Sequence, residues 1–222
     1  MGKFMTLRAD DGFELGAWRA DPTGKPRGGL VVVQEIFGVN HHIRSVADFF
    51  AAQGYLAVAP ALFDRIERNV DLGYNAADRQ TGIALISKAD KAKLRIDVAA
   101  AELVARAGGK TAVVGYCLGG SLAYFAACDV AGLGAAVGYY GGMILDAKDG
   151  KVKAPTMLHF GETDANIPIA RVREFIAQHP ELTVYTYPAG HGFNCEERES
   201  FDAPSAALAR TRTLEFLAKT IG

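Results

Sequence analysis

The segment Gly115-Tyr116-Cys117-Leu118-Gly119-Gly120 places a cysteine inside a G-x-C-x-G motif. It lies within residues 111–128, a stretch of eighteen residues without a charge. Glycines break this stretch into two parts, so a buried strand that runs into a buried helix is a better interpretation than a membrane span. At such a sharp strand-to-helix turn, small neighbours prevent clashes and the central side chain projects over the sheet. The motif therefore predicts a nucleophile elbow at Cys117, with the helix N-terminus directed at the sulfur.

Strands and helices alternate on both sides of this elbow. Residues 4–8 and 13–19 flank an Asp-Gly pair and predict a hairpin. Leu30-Val31-Val32-Val33 is apolar on both faces, which is typical of a central parallel strand. Further predicted strands are 55–59, 110–115, 133–139, 156–160 and 182–187, and predicted helices are 40–53, 76–87, 90–107, 118–128, 169–178 and 203–218. The pattern predicts one α/β domain over residues 1–222, in which a mostly parallel central sheet has helices on both faces.

The composition limits the partners of the chain. Half of the 222 residues are hydrophobic, 22% are charged and the formal net charge is −1, which excludes a disordered protein. The sequence has no basic stripe of the kind that binds nucleic acid or a membrane surface, so we expect a small-molecule partner. The oligomeric state stays open. The three cysteines, Cys117, Cys128 and Cys195, lack CxxC spacing and indicate neither a disulfide framework nor a zinc site. We expect a cytoplasmic protein without cofactor or metal.

A cysteine nucleophile needs a base, and the base needs an acid that orients it. Asp164 follows the predicted strand 156–160, and His191 follows the predicted strand 182–187. Both residues therefore belong to the carboxyl ends of strands, where loops of a doubly wound sheet form the site. Their order after the cysteine is the one expected of this elbow. Asp164 and His191 are the predicted acid and base, and Glu162 is the nearest rival for the acid.

Other readings of the motif point to different functions. Class I glutamine amidotransferases also combine a G-x-C-x-G elbow with a His-Pro-Glu segment, and His179-Pro180-Glu181 occurs here. That segment ends a predicted amphipathic helix, whereas the histidine of those enzymes follows a strand, which disfavours glutamine hydrolysis. A non-catalytic binding protein and a thiol redox sensor built on Cys117 are the two further alternatives.

Five segments in order along nearly the whole chain resemble the dienelactone hydrolase family. These segments are Gln34-Glu35-Ile36-Phe37-Gly38-Val39-Asn40, Gly115–Gly120, Gly138-Tyr139-Tyr140-Gly141, Asp164 and Gly190-His191-Gly192-Phe193. The resemblance implies an α/β-hydrolase fold and a triad of Cys117, His191 and Asp164. It also implies an acyl-enzyme reaction that opens the lactone ring of dienelactone to give maleylacetate.

The resemblance further implies roles for residues outside the triad. Glu35 matches a glutamate that interacts with the resting thiol and moves away when substrate binds. The backbone N–H groups of Ile36 and Leu118 match the donors of an oxyanion hole. Arg79 matches an arginine that grips the carboxylate of the substrate. Phe37 and Tyr139, which lie in the matched segments, are predicted to contact substrate.

Departures from the family pattern concern the substrate site. Cys195 replaces a second carboxylate-binding arginine, and Arg198 is its nearest substitute. Ile83 and Ile86 stand where aromatic residues are expected, and Gly192 stands in place of a serine. The sequence thus predicts a hydrolase of small, carboxylate-bearing lactones or esters, with a broad-specificity carboxylic ester hydrolase as the alternative.

Overall fold

A single mixed sheet organises residues 2–147 and 151–222, the part of the chain that the computed structural model describes. Its strands are β1 Lys3–Arg8, β2 Glu14–Ala20, β3 Gly28–Val33, β4 Tyr55–Pro60, β5 Thr111–Tyr116, β6 Ala135–Tyr139, β7 Thr156–Gly161 and β8 Thr183–Tyr187. They lie in the order β1-β2-β4-β3-β5-β6-β7-β8. β2 pairs antiparallel with both β1 and β4, and the remaining pairs are parallel. The mostly parallel α/β sheet that the sequence predicts is confirmed.

Helices cover both faces of the sheet. They are α1 His41–Ala52, α2 Ala76–Lys88, α3 Lys91–Ala105, α4 Leu118–Asp129, α5 Ile169–Gln178 and α6 Ala203–Thr220. Leu30 and Val32 of β3 face the core layer that α1 and α6 complete, while Val31 and Val33 face the layer formed with α3 and α4. Because both faces of β3 are buried, its sequence is apolar at every position instead of alternating.

Local signals explain where several elements begin and end. The Asn40 side chain accepts a hydrogen bond from the Ile43 N–H and starts α1. Gly12, at φ 83°, closes the turn between β1 and β2, as the Asp-Gly pair predicts. The helix predicted to reach residue 107 ends earlier, at Ala105, because a short 3₁₀ turn, Arg106–Gly108, leads into Gly109 at φ 115°. Within the described ranges, no helix combines the length and apolar character that crossing a bilayer requires.

The topology brings distant parts of the chain to one edge of the sheet. The carboxyl ends of β3, β5, β7 and β8 meet there, since these strands run parallel. The loops that leave them carry Glu35, Cys117, Asp164 and His191. The predicted chemical groups therefore converge at the edge where α/β sheets build their sites.

Candidate active site

Cys117 occupies a strained turn between β5 and α4. Its backbone has φ 55° and ψ −112°, a conformation that residues other than glycine rarely adopt. A Cβ atom on Gly115 would collide with the Gly119 carbonyl, and one on Gly119 would collide with the Val33 carbonyl. The Cys117 N–H donates to the Tyr139 carbonyl over 3.0 Å. Close packing on both sides thus holds the elbow and directs the thiol outward.

The thiol, His191 and Asp164 form a continuous chain of contacts. His191 Nε2 lies 3.1 Å from Cys117 Sγ, and His191 Nδ1 lies 2.7 Å from Asp164 Oδ2. The other oxygen of Asp164 accepts hydrogen bonds from the N–H groups of Asn166 and Ile167. These bonds fix the carboxylate, and the carboxylate in turn orients the imidazole toward the sulfur.

Electrostatics favours a charged imidazole in this position. Burial of the His191 ring disfavours its charged form, but hydrogen bonds to Asp164 and Cys117 outweigh that cost and raise the pKa of His191 to about 10. A protonated ring between a carboxylate and a sulfur stabilises negative charge on the sulfur. The arrangement is therefore suited to an imidazolium–thiolate pair, in which the sulfur is a strong nucleophile.

The rival candidates lie away from this chain of contacts. The Glu162 carboxylate accepts a hydrogen bond from Thr186 Oγ1 over 2.7 Å, and not from His191. His159 is fully buried in β7 and bonds to the Tyr187 hydroxyl. His179 follows α5 and lies 3.2 Å from Glu181 at the surface, so the His-Pro-Glu segment is not part of this cluster.

The loop after β3 and the start of α4 both border the cavity at Cys117. The Gly119 N–H donates to the Gln34 carbonyl over 3.0 Å, which holds the loop after β3 against the start of α4. Leu118 is the first residue of α4, so its N–H has no acceptor within the helix. Ile36 and Leu118 line the same cavity as Cys117. Donors in these two places can stabilise an oxyanion that forms beside the sulfur.

A cavity of about 430 Å³ opens above the thiol. Phe37, Arg79 and Arg198 line it together with Ile83 and Ile86. Further lining comes from Ser121, Gly142, Met143, Asp146, Asn166, Ile167, Arg171 and His191. The walls are thus largely apolar with several guanidinium groups, a lining suited to a small acidic molecule.

The guanidinium groups in the cavity wall differ in their partners. Arg79 is exposed on α2, and no ion pair is formed by its side chain within the described residues. Arg171 pairs with Asp146 over 2.6 Å. Arg198 pairs with Glu35 over 2.9 Å. Arg79 is therefore the guanidinium that a ligand carboxylate can bind without displacing a carboxylate of the protein.

Glu35 is almost completely buried and both of its carboxylate oxygens are occupied. Arg198 donates to Oε1, and the Tyr74 hydroxyl donates to Oε2 over 3.1 Å. The interaction expected between Glu35 and the Cys117 thiol is not among its hydrogen bonds in the described part of the chain, where the sulfur bonds to His191. Sequence reasoning missed Tyr74, which lies in a loop before α2 that carries no motif or periodicity.

The prediction that Tyr139 contacts substrate is wrong. Its ring is buried and stacks between Tyr116 and His159, and its hydroxyl bonds to Thr213 Oγ1 over 2.6 Å. Tyr139 does not line the cavity described above. Because side chains alternate along a strand, its ring points into the core layer below α6 instead of into the site.

A sequence model of the dienelactone hydrolase family matches residues 15–221. The chain belongs to the dienelactone hydrolase family. It is 34% identical to carboxymethylenebutenolidase 1 of Cupriavidus pinatubonensis, over 96% of this chain and 94% of that protein. It is 35% identical to a carboxymethylenebutenolidase of Pseudomonas putida, over 96% of this chain and 95% of the relative. As a dienelactone hydrolase family member, the protein is a hydrolase that acts on ester or lactone bonds.

Solved structures share the fold of this chain. A protein from Klebsiella pneumoniae that is provisionally named a dienelactone hydrolase superposes with a TM-score of 0.84 and 28% identity, covering 99% of this chain and 98% of its own. An esterase of Pyrococcus furiosus superposes with a TM-score of 0.73 at 18% identity, over 100% of this chain and 94% of its own. The dienelactone hydrolase family member therefore has the α/β-hydrolase fold that the resemblance implies.

Proposed function

We propose that the protein opens a small enol-lactone of the dienelactone type, or a related ester that carries a carboxylate, with Cys117 as the nucleophile. His191 is the general base and acid, and Asp164 orients it. The observation that carries this proposal is the set of contacts from Cys117 Sγ through His191 to Asp164 at the floor of the cavity. The names of the curated relatives favour a lactone as the substrate.

The first half of the reaction forms a thioester. The Cys117 thiolate attacks the carbonyl carbon of the lactone, and the electron pair of the C=O bond moves onto oxygen. The N–H groups of Ile36 and Leu118 stabilise this oxyanion. When the C=O bond re-forms, the ring C–O bond breaks and an enolate leaves, which takes a proton from the His191 imidazolium. The acyl group then remains bound to sulfur.

The second half of the reaction releases the acid. Neutral His191 removes a proton from a water molecule as the water oxygen attacks the thioester carbonyl. The C–S bond breaks, the thiolate leaves, and the imidazolium–thiolate pair is restored. One water is consumed for each lactone, and the released enol tautomerises to a ketone. Asp164, held by Asn166 and Ile167, keeps the imidazole oriented in both halves.

The charge of the cavity supports a substrate with a carboxylate. Arg79 offers a guanidinium without a protein partner in the described residues, and Arg198 offers a second one once Glu35 releases it. A charge-assisted, two-point contact with a carboxylate stabilises a complex by about 1.5–3 kcal/mol. A neutral ester gains nothing from this contact. We therefore assign Arg79 to the recognition of the substrate carboxylate.

A broad-specificity carboxylic ester hydrolase is the second candidate. Ile83 and Ile86 line the cavity with aliphatic groups that make no directional contacts and so suit many apolar chains, and this observation favours the second candidate. A substrate panel tests both candidates by comparing kcat/KM for dienelactone, other acidic enol-lactones and neutral p-nitrophenyl esters. Acidic lactones should be preferred by about ten-fold or more. Equal turnover of neutral esters would favour the broad hydrolase.

The acyl-enzyme is tested separately by mass spectrometry after rapid acid quenching. Wild-type protein should carry the mass of one acyl group on the peptide that contains Cys117. Cys117→Ala should carry no acyl group and should lose turnover. Cys128→Ala, which changes another cysteine, should keep both the acyl group on Cys117 and the turnover. Turnover by Cys117→Ala would contradict the proposed nucleophile.

A further inference from the structure

Three side chains that can bind a metal ion meet behind the cavity wall. Glu35 follows β3, His42 lies in the first turn of α1, and Cys195 lies in the loop after β8. A carboxylate oxygen, an imidazole nitrogen and the thiol sulfur all lie within 4.8 Å of one another. All three residues are buried, with exposures of 1%, 6% and 0%. Glu35 and His42 are near neighbours in the sequence, but Cys195 lies far along the chain, so cysteine spacing could not indicate the cluster.

The histidine of this cluster lacks the partner that a buried ring nitrogen normally has. His42 Nε2 is buried and has no hydrogen-bond partner among the described residues. Leaving such a group unpaired costs free energy, so this nitrogen is open to a partner that the described residues do not supply. A metal ion would satisfy the nitrogen lone pair, because neutral imidazole is a common metal ligand.

A second cavity adjoins the same histidine. His42 lines a cavity of about 190 Å³, separate from the one above Cys117. Asn194, whose buried Oδ1 also has no described partner, lines this second cavity together with the exposed pair Glu196 and Arg210. This cavity therefore places polar groups beside His42.

The charges and neighbours of the cluster are compatible with a divalent cation. Arg198 contributes one positive charge next to Glu35. The Glu35 carboxylate and a metal-bound Cys195 thiolate contribute two negative charges, so the cluster keeps a net negative charge for a cation. The Tyr74 hydroxyl, which donates to Glu35 Oε2 and accepts from the Asn40 side chain, is a neighbouring oxygen that could serve as a further ligand. Thiolate, imidazole and carboxylate are the ligands that Zn²⁺ prefers at tetrahedral sites. Ligand atoms must approach one another by about 1 Å to reach Zn²⁺ bond lengths of about 2.0–2.3 Å.

We propose that Glu35, His42 and Cys195 bind one Zn²⁺ ion, with the Tyr74 hydroxyl or a water as the fourth ligand. The site is distinct from Cys117, His191 and Asp164, which also provide thiol, imidazole and carboxylate. In the triad, Nδ1 of His191 faces Asp164 and Nε2 faces Cys117, on opposite sides of the ring. These three groups therefore cannot bind the same ion. The proposal does not depend on the assigned reaction, because metal binding is measured without substrate.

Cobalt spectroscopy tests the site, since Co²⁺ occupies zinc sites and reports a thiolate ligand by a near-ultraviolet charge-transfer band. Metal-free, reduced protein is titrated with Co²⁺, and Zn²⁺ is then added to displace it. Wild type should show the band, saturate at one equivalent and lose the band on addition of Zn²⁺. Cys117→Ser and Cys128→Ser, which change the other two cysteines, should behave like wild type.

Two variants remove one ligand each. Cys195→Ser should abolish the thiolate band, and His42→Gln should weaken Co²⁺ binding by about 100-fold or more, because ligand loss costs at least as much as loss of a supporting group. Circular dichroism checks that each variant is folded, and His42→Gln keeps the test decisive if Cys195→Ser does not fold. A wild-type protein without the band would overturn the proposal. So would a band that persists in Cys195→Ser or disappears in Cys117→Ser.

Discussion

Arg198 Nη1 lies 2.9 Å from Glu35 Oε1 in the wall of the cavity above Cys117. The two side chains are 17% and 1% exposed, so water screens this ion pair only weakly. Glu35 therefore neutralises a cation that would otherwise act on the cavity and on the sulfur. A substrate carboxylate must compete with Glu35 for Arg198, whereas Arg79 has no such competitor among the described residues.

Glu35→Gln should change the ionisation of Cys117. The variant removes a negative charge and leaves Arg198 without its partner, and both effects favour a thiolate. Thiolate absorbance measured against pH should therefore rise at lower pH than in wild type. Glu162→Gln, whose carboxylate bonds to Thr186, is the matched control and should titrate like wild type. Superimposable curves for wild type and Glu35→Gln would refute the effect.

Arg79→Ala should lower kcat/KM for an acidic enol-lactone by about ten- to a hundred-fold, because a charge-assisted contact with the substrate carboxylate is lost. Hydrolysis of a neutral p-nitrophenyl ester should stay close to the wild-type rate. Arg171→Ala is the control, since Arg171 lines the same cavity but pairs with Asp146. Equal losses on both substrates would show that Arg79 does not recognise charge.

Asp164→Asn should lower kcat by about two or more orders of magnitude, because an amide can neither hold His191 in the same tautomer nor stabilise the imidazolium. Glu162→Gln changes the neighbouring acid and should leave kcat nearly unchanged. Steady-state kinetics of both variants on one ester give the comparison. The acid role would move to Glu162 if the two effects were reversed.

Iodoacetamide should label Cys117 before either of the other cysteines. His191 Nε2 lies 3.1 Å from Cys117 Sγ, where a protonated ring would stabilise a thiolate, whereas burial raises the pKa of Cys128 and of Cys195. Peptide mapping by mass spectrometry should show that the loss of activity follows the labelling of Cys117. In His191→Ala the labelling should slow markedly at neutral pH. An unchanged rate in that variant would argue against the imidazolium–thiolate pair.

His159 should make the fold sensitive to acid. Burial in the sheet, with a smaller contribution from Arg212, lowers the pKa of His159 to about 3, below the value of about 6.5 expected in the unfolded chain. As the pH falls from about 6.5 toward about 3, the unfolded state therefore binds more protons at His159 than the folded state does. The free energy of unfolding should fall by up to about 1.4 kcal/mol per pH unit from this one group.

Urea unfolding at several pH values between about 6.5 and 4 measures this slope. His159→Gln should be less stable than wild type near neutral pH but should show a shallower loss on acidification. His179→Gln, which changes a histidine near the surface, is the control and should keep the wild-type slope. An unchanged slope in His159→Gln would contradict the assignment to His159.

Much of the fold could be predicted from short stretches of sequence. The apolar run of β3 indicates a strand covered on both faces, and Asn40 indicates the start of α1. The glycines around Cys117 follow from a turn that leaves no room for a Cβ atom. These signals are local, because each depends on the conformation or burial of a few consecutive residues. The order of cysteine, acid and histidine likewise let the sequence predict which side chains would meet.

Only the tertiary structure decided how side chains of distant loops pair. Glu35 and Arg198 are 163 residues apart, and no periodicity or turn signal joins them or predicts Tyr74 as the second partner of Glu35. The direction of Tyr139 depends on strand register, since a shift of one residue exchanges the two faces of a sheet. Local propensity and burial are thus encoded in neighbouring residues, whereas the partners of a buried charge depend on the three-dimensional packing of the whole chain.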